Sequence, residues 1–185
     1  MNHIAGFITG HSVPGYTGLS REQRDFQSRS VVPEKNWLRH NFPWKETFPY
    51  PKSFNLVSGS WNNVRHYLAS RRRAFRVQHR MAVIERFAPH DQVLLLAGSC
   101  GLELLNNLHL PEETRRRLHV FAYGPVCRSR PDVASLFVVQ GSRDFLSRAF
   151  HRRADARFTC SHMSYLEAPE TLHLLNLFYR RVVAL

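Results

Sequence analysis

The sequence predicts an α/β fold, with a mostly parallel central sheet of about six strands and helices on both faces in a three-layer sandwich. Two observations carry this prediction. Short apolar runs alternate along the chain with longer segments of helical periodicity, which is typical of a parallel sheet covered by helices. Four runs are also continuously apolar rather than alternating, as expected for strands buried on both faces. They are residues 93–96, 120–122, 136–139 and 158–160.

Each element follows from its local pattern. Strands are predicted at residues 4–9, 53–57, 92–97, 118–123, 135–140 and 157–160. A short helix is predicted to begin at Ser20, where Gln23 occupies the capping-box position. Further helices are predicted over 100–108 and 169–183. The longest predicted helix spans 62–87 without interruption, and its apolar stripe comprises Val64, Leu68, Phe75, Met81 and Ile84.

Length and composition limit the class of protein. The chain has 185 residues, of which 43% are hydrophobic, and this suits one domain over 1–185. No run approaches the roughly 18–20 apolar residues of a membrane span, and the first residues do not resemble a signal peptide. Three cysteines without metal-type spacing argue against a disulfide framework and a metal site. We therefore expect a cytoplasmic protein without metal or cofactor.

The charge is strongly positive, since 26 Lys+Arg and 14 Asp+Glu give 26 − 14 = +12. Clustered arginines attract polyanions, but each cluster falls on or beside a predicted helix, where a solvated basic face is the simpler interpretation. Nucleic acid is not the expected partner, because no zinc-finger spacing, RNP-like strand or GxxG clamp accompanies the arginines. The clusters are 71–73, 115–117, 152–153 and 180–181.

Residues 31–51 collect prolines and aromatic side chains outside the strand and helix pattern. Two interpretations remain open for this Pro/aromatic loop. It could be a lid that contributes apolar contacts to a substrate, or it could close one end of the core.

The turn after the third predicted strand carries the strongest functional prediction. A buried strand leads through Ala97-Gly98-Ser99-Cys100-Gly101 directly into a helix. Small residues two positions before and after a serine are required where the chain reverses sharply and exposes that serine at the end of a strand. The N–H of Cys100 would then point toward a developing oxyanion at the new helix's N-terminus. Cys100 itself suits the nucleophile position less well, because Leu102 would then occupy a position that requires a small residue.

On these residues the chain resembles the α/β-hydrolase superfamily, as a small, capless member shortened at its N-terminus. Asp144 and His162 follow later strands in the family's order of serine, aspartate and histidine. The resemblance implies a Ser99, His162 and Asp144 triad. Asp144 could instead cap the next helix, His162 could be structural, and His173 is a rival base inside the last predicted helix.

The same resemblance implies that the loop after the first strand supplies a second oxyanion donor, the backbone N–H of His11 or Ser12. The expected function is that of a serine esterase or thioesterase forming an acyl-enzyme on Ser99. Its substrate would be a small acyl ester or thioester, which coenzyme A or an acidic carrier protein could present to the basic surface. The alternatives are an inactive hydrolase scaffold that binds an anionic partner, and an acyltransferase.

Overall fold

The central sheet contains five parallel strands in the order β1-β2-β3-β4-β5. The computed structural model describes residues 2–13, 15–45 and 56–184, and for residues 56–60 it describes the backbone alone. This sheet confirms the predicted fold class, with five strands rather than about six in the described residues. The strands are β1 (His3–Ile8), β2 (Gln92–Gly98), β3 (Leu118–Tyr123), β4 (Ser135–Gly141) and β5 (Ala156–Phe158).

Seven α-helices are present among the described residues, together with a short 3-10 helix at Glu34–Asn36. The helices are α1 (Arg21–Arg29), α2 (Leu56–Ser70), α3 (Arg73–Phe87), α4 (Gly101–Asn107), α5 (Glu112–Arg115), α6 (Phe145–Phe150) and α7 (Pro169–Val183). Ser20 forms the expected capping box with Gln23 at the start of α1. No helix in the described part of the chain is long and apolar enough to cross a membrane.

Side chains of β2 alternate between two apolar cores, one on each face of the sheet. Val93, Leu95 and Ala97 belong to the core that includes residues of α3 and α4. Leu94 and Leu96 belong to the core that includes residues of α1 and α7. Because successive strand side chains point to opposite faces, a continuously apolar strand is buried on both of them. This is the three-layer arrangement that the sequence predicts.

The single helix predicted over 62–87 is wrong, because the structure divides it into α2 and α3. Arg72 has an extended backbone, with ψ of 147°, and caps α3. Extended backbone interrupts the helical hydrogen-bond series, so α2 and α3 are separate helices.

The division of that helix also changes which of its side chains are buried. Phe75 is buried and Ile84 packs against the core, whereas Val64, Leu68 and Met81 are exposed. The predicted apolar stripe therefore holds only for the α3 positions nearest the sheet. A helical wheel drawn through 62–87 combines residues of two helices.

The strand predicted over 53–57 is not a strand where the structure describes it. Residues 53–55 lie outside the described residues, and Leu56 and Val57 form the first turn of α2. A short apolar run fits a buried strand and a helix start equally well, so periodicity alone could not decide between them.

The described part of the Pro/aromatic loop closes the core beside β1. Phe42 and Trp44 are buried, and the Trp44 indole N–H donates to the Phe7 carbonyl oxygen at 2.9 Å. Trp37 stacks on the Phe7 ring. Residues 31–45 therefore belong to the body of the protein. Residues 46–51 lie outside the described residues, and a lid there stays a prediction.

Candidate active site

Ser99 lies in the sharp turn between β2 and α4, at the carboxyl edge of the sheet. Its φ is +52°, in the left-handed region that costs a non-glycine residue free energy. Gly101 begins α4 so close to β1 that a Cβ there would overlap the carbonyl oxygen of Ile8. Any larger residue at position 101 would therefore push α4 away from β1. The strand-turn-helix context of the serine agrees with the steric rule applied to the sequence.

His162 lies between Ser99 and Asp144. Its Nε2 is 3.1 Å from Ser99 Oγ, and its Nδ1 is 2.9 Å from Asp144 Oδ2. The hydrogen-bond network assigns the ring's proton to Nδ1, since an ionised carboxylate can only accept. The Ser99 hydroxyl then donates to Nε2. The structure thus brings together three side chains from separate strand ends in one hydrogen-bonded series.

Asp144 is almost completely buried, at 1% exposure, yet both of its carboxylate oxygens have donors. Oδ1 accepts the Ser147 N–H at 2.9 Å and so caps α6, while Oδ2 accepts from His162. Burial raises the pKa of Asp144, but the hydrogen bonds from His162, Ser147 and Tyr165 outweigh it, so its pKa is lowered. The two interpretations of Asp144 are therefore compatible, because helix capping and the His162 contact use different oxygens.

Tyr165 is a site residue that the sequence interpretation missed. Its buried hydroxyl donates to Asp144 Oδ2 at 2.8 Å and accepts the Gly141 N–H at 2.7 Å. The hydroxyl therefore ties the carboxylate to the end of β4. A tyrosine three residues after a histidine is common in many contexts, so no local pattern could have indicated this contact.

The rival candidates are placed less favourably. His173 lies exposed on α7, in a surface groove beside Phe158 of the edge strand β5. Burial raises the pKa of the Cys100 thiol to about 12, so it is protonated at neutral pH and a poor nucleophile. No cluster of three or more His, Cys, Asp or Glu side chains in the described ranges could hold a metal ion.

The loop after β1 contacts α2 through the residues predicted as oxyanion donors. The His11 N–H donates to His66 Nδ1 at 3.3 Å. Asn62 donates to the Ser12 carbonyl oxygen, and Asn63 donates to Ser12 Oγ. Because the His11 N–H already has an acceptor, it would have to exchange that partner to bind an oxyanion.

The acceptor of the His11 N–H is a neutral imidazole. Burial, followed by the charges of His11 and His79, lowers the pKa of His66 to about 3. An unprotonated Nδ1 keeps the lone pair that accepts a hydrogen bond. The Cys100 N–H, one residue beyond Ser99, needs no such exchange with His66. Cys100 is therefore a simpler donor than His11.

Comparison with solved structures identifies the fold. A carboxylesterase from Mesorhizobium loti superimposes with a TM-score of 0.54 and 14% sequence identity, covering 96% of this chain and 88% of that chain. An α/β serine hydrolase without a lid from Xanthomonas campestris gives a TM-score of 0.46 and 15% identity, with 98% and 81% coverage. No family model and no curated protein sequence matches the chain. The parallel sheet, the helices on both of its faces and the carboxylesterase superposition together show that this chain has an α/β-hydrolase-like fold.

Proposed function

We propose that this protein is a serine hydrolase that cleaves a carboxylic ester or thioester through an acyl-enzyme on Ser99. The observation that carries the proposal is the hydrogen-bonded series from Ser99 through His162 to Asp144. A general base within hydrogen-bond reach of a hydroxyl, oriented by a third group, is the arrangement that nucleophilic catalysis requires.

In the proposed first step, Ser99 Oγ attacks the carbonyl carbon and its proton passes to His162 Nε2. The carbonyl double bond opens and its electron pair moves to the oxygen. Asp144 keeps its negative charge and stabilises the imidazolium through the Nδ1–H hydrogen bond. Collapse of the tetrahedral intermediate breaks the bond to the alcohol or thiol, which leaves with the proton from Nε2. Water then repeats the sequence on the acyl-enzyme and restores Ser99.

The Cys100 N–H is the proposed first donor to the oxyanion, because it follows the nucleophile at the beginning of α4. A preorganised donor at this position stabilises charge that exists only in the transition state. The second donor is proposed to be the His11 or Ser12 N–H. His11 would serve after its N–H has moved from His66 to the oxyanion.

Two alternatives make different predictions. An inactive scaffold would not need His162 within reach of Ser99, so the 3.1 Å distance favours the hydrolase. An acyltransferase would use the same side chains and differ only in the acceptor of the acyl group. Adding an alcohol or an amine to the assay separates these two activities, because a transferase forms the new ester or amide in preference to the free acid.

A fluorophosphonate probe tests the proposal directly, because it reacts with an activated serine. We expect a single label on Ser99, located by peptide mass spectrometry, and no label on Ser99→Ala. Ser142→Ala is a matched control, since Ser142 is exposed near the site. His162→Ala should abolish labelling, while His173→Ala should leave it unchanged. Labelling of folded protein elsewhere, or none, would refute the proposed nucleophile.

The leaving group is tested with a panel of p-nitrophenyl esters and coenzyme A thioesters of several acyl lengths. Comparing each substrate with the Ser99→Ala protein separates turnover at the site from background hydrolysis. We expect Ser99-dependent release of the free acid from at least one member of the panel. A probe-reactive Ser99 that hydrolyses no panel member but acylates an added alcohol would favour the transferase.

A further inference from the structure

The positive charge of this chain is concentrated in two segments. Residues 56–84 contain six arginines and no acidic residue, and residues 142–154 contain four arginines and one acid, Asp144. Their net charges are 6 − 0 = +6 and 4 − 1 = +3, which together give +9 of the chain's +12. Asp144 is buried against His162, so no carboxylate of these segments faces solvent.

The arginine clusters differ in whether acidic side chains neutralise them. Arg115, Arg116 and Arg117 all form salt bridges, with Asp132 and with the two glutamates of α5. By contrast, eight exposed arginines in the two basic segments form no salt bridge with any described residue. They are Arg65, Arg71, Arg72, Arg73, Arg143, Arg148, Arg152 and Arg153.

Helix α2 presents an apolar stripe to solvent beside these arginines. Trp61, Val64 and Leu68 have the i, i+3 and i+7 spacing of one helix face, and Trp61 is 63% exposed. The opposite face of α2 carries Asn63 and His66, which hold the loop after β1. Within residues 61–70, α2 therefore turns these three apolar side chains to solvent, while Tyr67 packs against the core.

A second group of exposed apolar side chains lies directly beside the candidate active site. Phe145 follows Asp144 and is 75% exposed, and Met163 follows His162 and is 72% exposed. Helix α6 meets α2 where the Tyr67 and Phe150 rings lie 6.5 Å apart. The two groups therefore adjoin through these helices. We call them the apolar rim: Trp61, Val64, Leu68, Phe145, Leu146, Phe150 and Met163.

We propose that the apolar rim and the eight arginines that form no salt bridge with a described residue bind an anionic lipid surface, and that they place Ser99 at the interface between lipid and water. Exposed apolar side chains next to cationic ones are what an interfacial helix uses, since the former enter the acyl region while the latter bind anionic headgroups. An acidic carrier protein would satisfy the arginines, whereas an anionic bilayer would in addition take the outward tryptophan and phenylalanine into its acyl region. The surface therefore fits a lipid interface better than a soluble acidic partner.

The inference concerns binding and is tested without turnover, on Ser99→Ala protein. Vesicles of phosphatidylcholine containing about one-third phosphatidylglycerol should sediment the protein, and neutral phosphatidylcholine vesicles should not. Trp44 is buried and Trp37 is stacked on Phe7, so Trp61 is the indole that would enter the lipid. We expect a blue shift of tryptophan emission on binding, and the shift should be lost in Trp61→Phe.

Two matched pairs of variants separate the charged and apolar contributions. At about 1 kcal/mol for each cation near an anionic surface, Arg71→Gln with Arg72→Gln should weaken the partition coefficient about 30-fold. Arg180→Gln with Arg181→Gln removes the same charge from α7, which lies on the other face of the sheet. This pair should change the partition coefficient less than about threefold. Val64→Ser with Leu68→Ser should weaken binding about tenfold, and Leu177→Ser with Val183→Ser on α7 should not.

Four results would overturn the proposed lipid binding. The first is equal sedimentation of the protein with neutral and with anionic vesicles. The second is weakening by the α7 variants as strong as that by the α2 variants. The third is an affinity for a soluble acidic polymer such as polyglutamate equal to that for anionic vesicles, together with unchanged binding of the Val64→Ser, Leu68→Ser double variant. That result would indicate an acidic macromolecule as the partner. The fourth is no sedimentation with anionic vesicles, by Ser99→Ala or by native protein, while the native protein still labels at Ser99 with the fluorophosphonate; it would refute this surface and leave the proposed hydrolase standing.

Discussion

Replacing Tyr165 by phenylalanine removes one hydroxyl and leaves the buried ring in place. The hydroxyl takes part in two hydrogen bonds, one to the ionised Asp144 and one from the Gly141 N–H. A hydrogen bond to a charged group contributes about 1.5–3 kcal/mol and a neutral one about 1 kcal/mol. We therefore expect Tyr165→Phe to lower the free energy of unfolding by about 2.5–4 kcal/mol at neutral pH.

The same substitution should change how stability depends on pH. The folded pKa of Asp144 lies below its ordinary value, so its ionisation contributes stability that is present above the unfolded pKa of about 3.9 and is lost as pH falls through the folded pKa. Tyr165 is one of the donors that lower this pKa. The difference in the free energy of unfolding between the native protein and Tyr165→Phe should therefore become smaller as the pH falls below about 4, where the carboxylate becomes protonated.

Urea unfolding at a series of pH values measures both effects, provided that the m-value is unchanged. Tyr123→Phe is a matched control, since Tyr123 is buried 5.9 Å from the Tyr165 ring, and its hydroxyl has no hydrogen-bond partner among the described residues. Tyr123→Phe should lower the free energy of unfolding by less than about 0.5 kcal/mol. A cost of that size for Tyr165→Phe, or a cost independent of pH, would show that the hydroxyl does not support Asp144.

Four further predictions concern the site and its framework. Asp144→Asn should lower kcat about 10³- to 10⁴-fold, because the asparagine amide can stabilise the wrong histidine tautomer, and ester hydrolysis by folded protein at a native rate would refute this. Gly101→Ala should lower the free energy of unfolding by about 3 kcal/mol in a thermal melt, because its Cβ would overlap the Ile8 carbonyl; an unchanged Tm would contradict the observed turn. Ser20→Ala should cost about 1 kcal/mol through loss of the α1 capping box without changing kcat, and a loss of activity by folded protein would contradict that separation. Iodoacetamide at pH 8 should leave all three buried thiols unmodified in native protein and alkylate them in urea, because burial raises the pKa of Cys100 and Cys127 to about 12 and that of Cys160 above its usual value; rapid alkylation of native protein would contradict this burial.

The fold class followed from local patterns because a strand buried on both faces carries apolar residues at successive positions. β2 and β3 show this in residues 93–96 and 120–122, and their observed bounds differ from the predicted ones by no more than one residue. The start of α1 was equally readable, since the contacts of a capping box lie within four residues. Long-range packing decided the elements that were missed. Whether residues 62–87 form one helix or two depends on how they pack against the sheet. A helical wheel carries no information on that packing.

By itself, the sequence determined the steric frame of the candidate site. Small residues around Ser99 and polar residues after two later strands are local requirements, and parallel strands place their carboxyl ends at one edge. Only the tertiary structure decided which side chains meet at that edge. Tyr165 reaches Asp144 across a separation of 21 residues, and His66 reaches His11 across 55. Such contacts depend on how distant loops are held against each other. The same holds for the charge. Packing places acidic side chains beside Arg115–Arg117 and none of the described ones within salt-bridge distance of Arg71–Arg73.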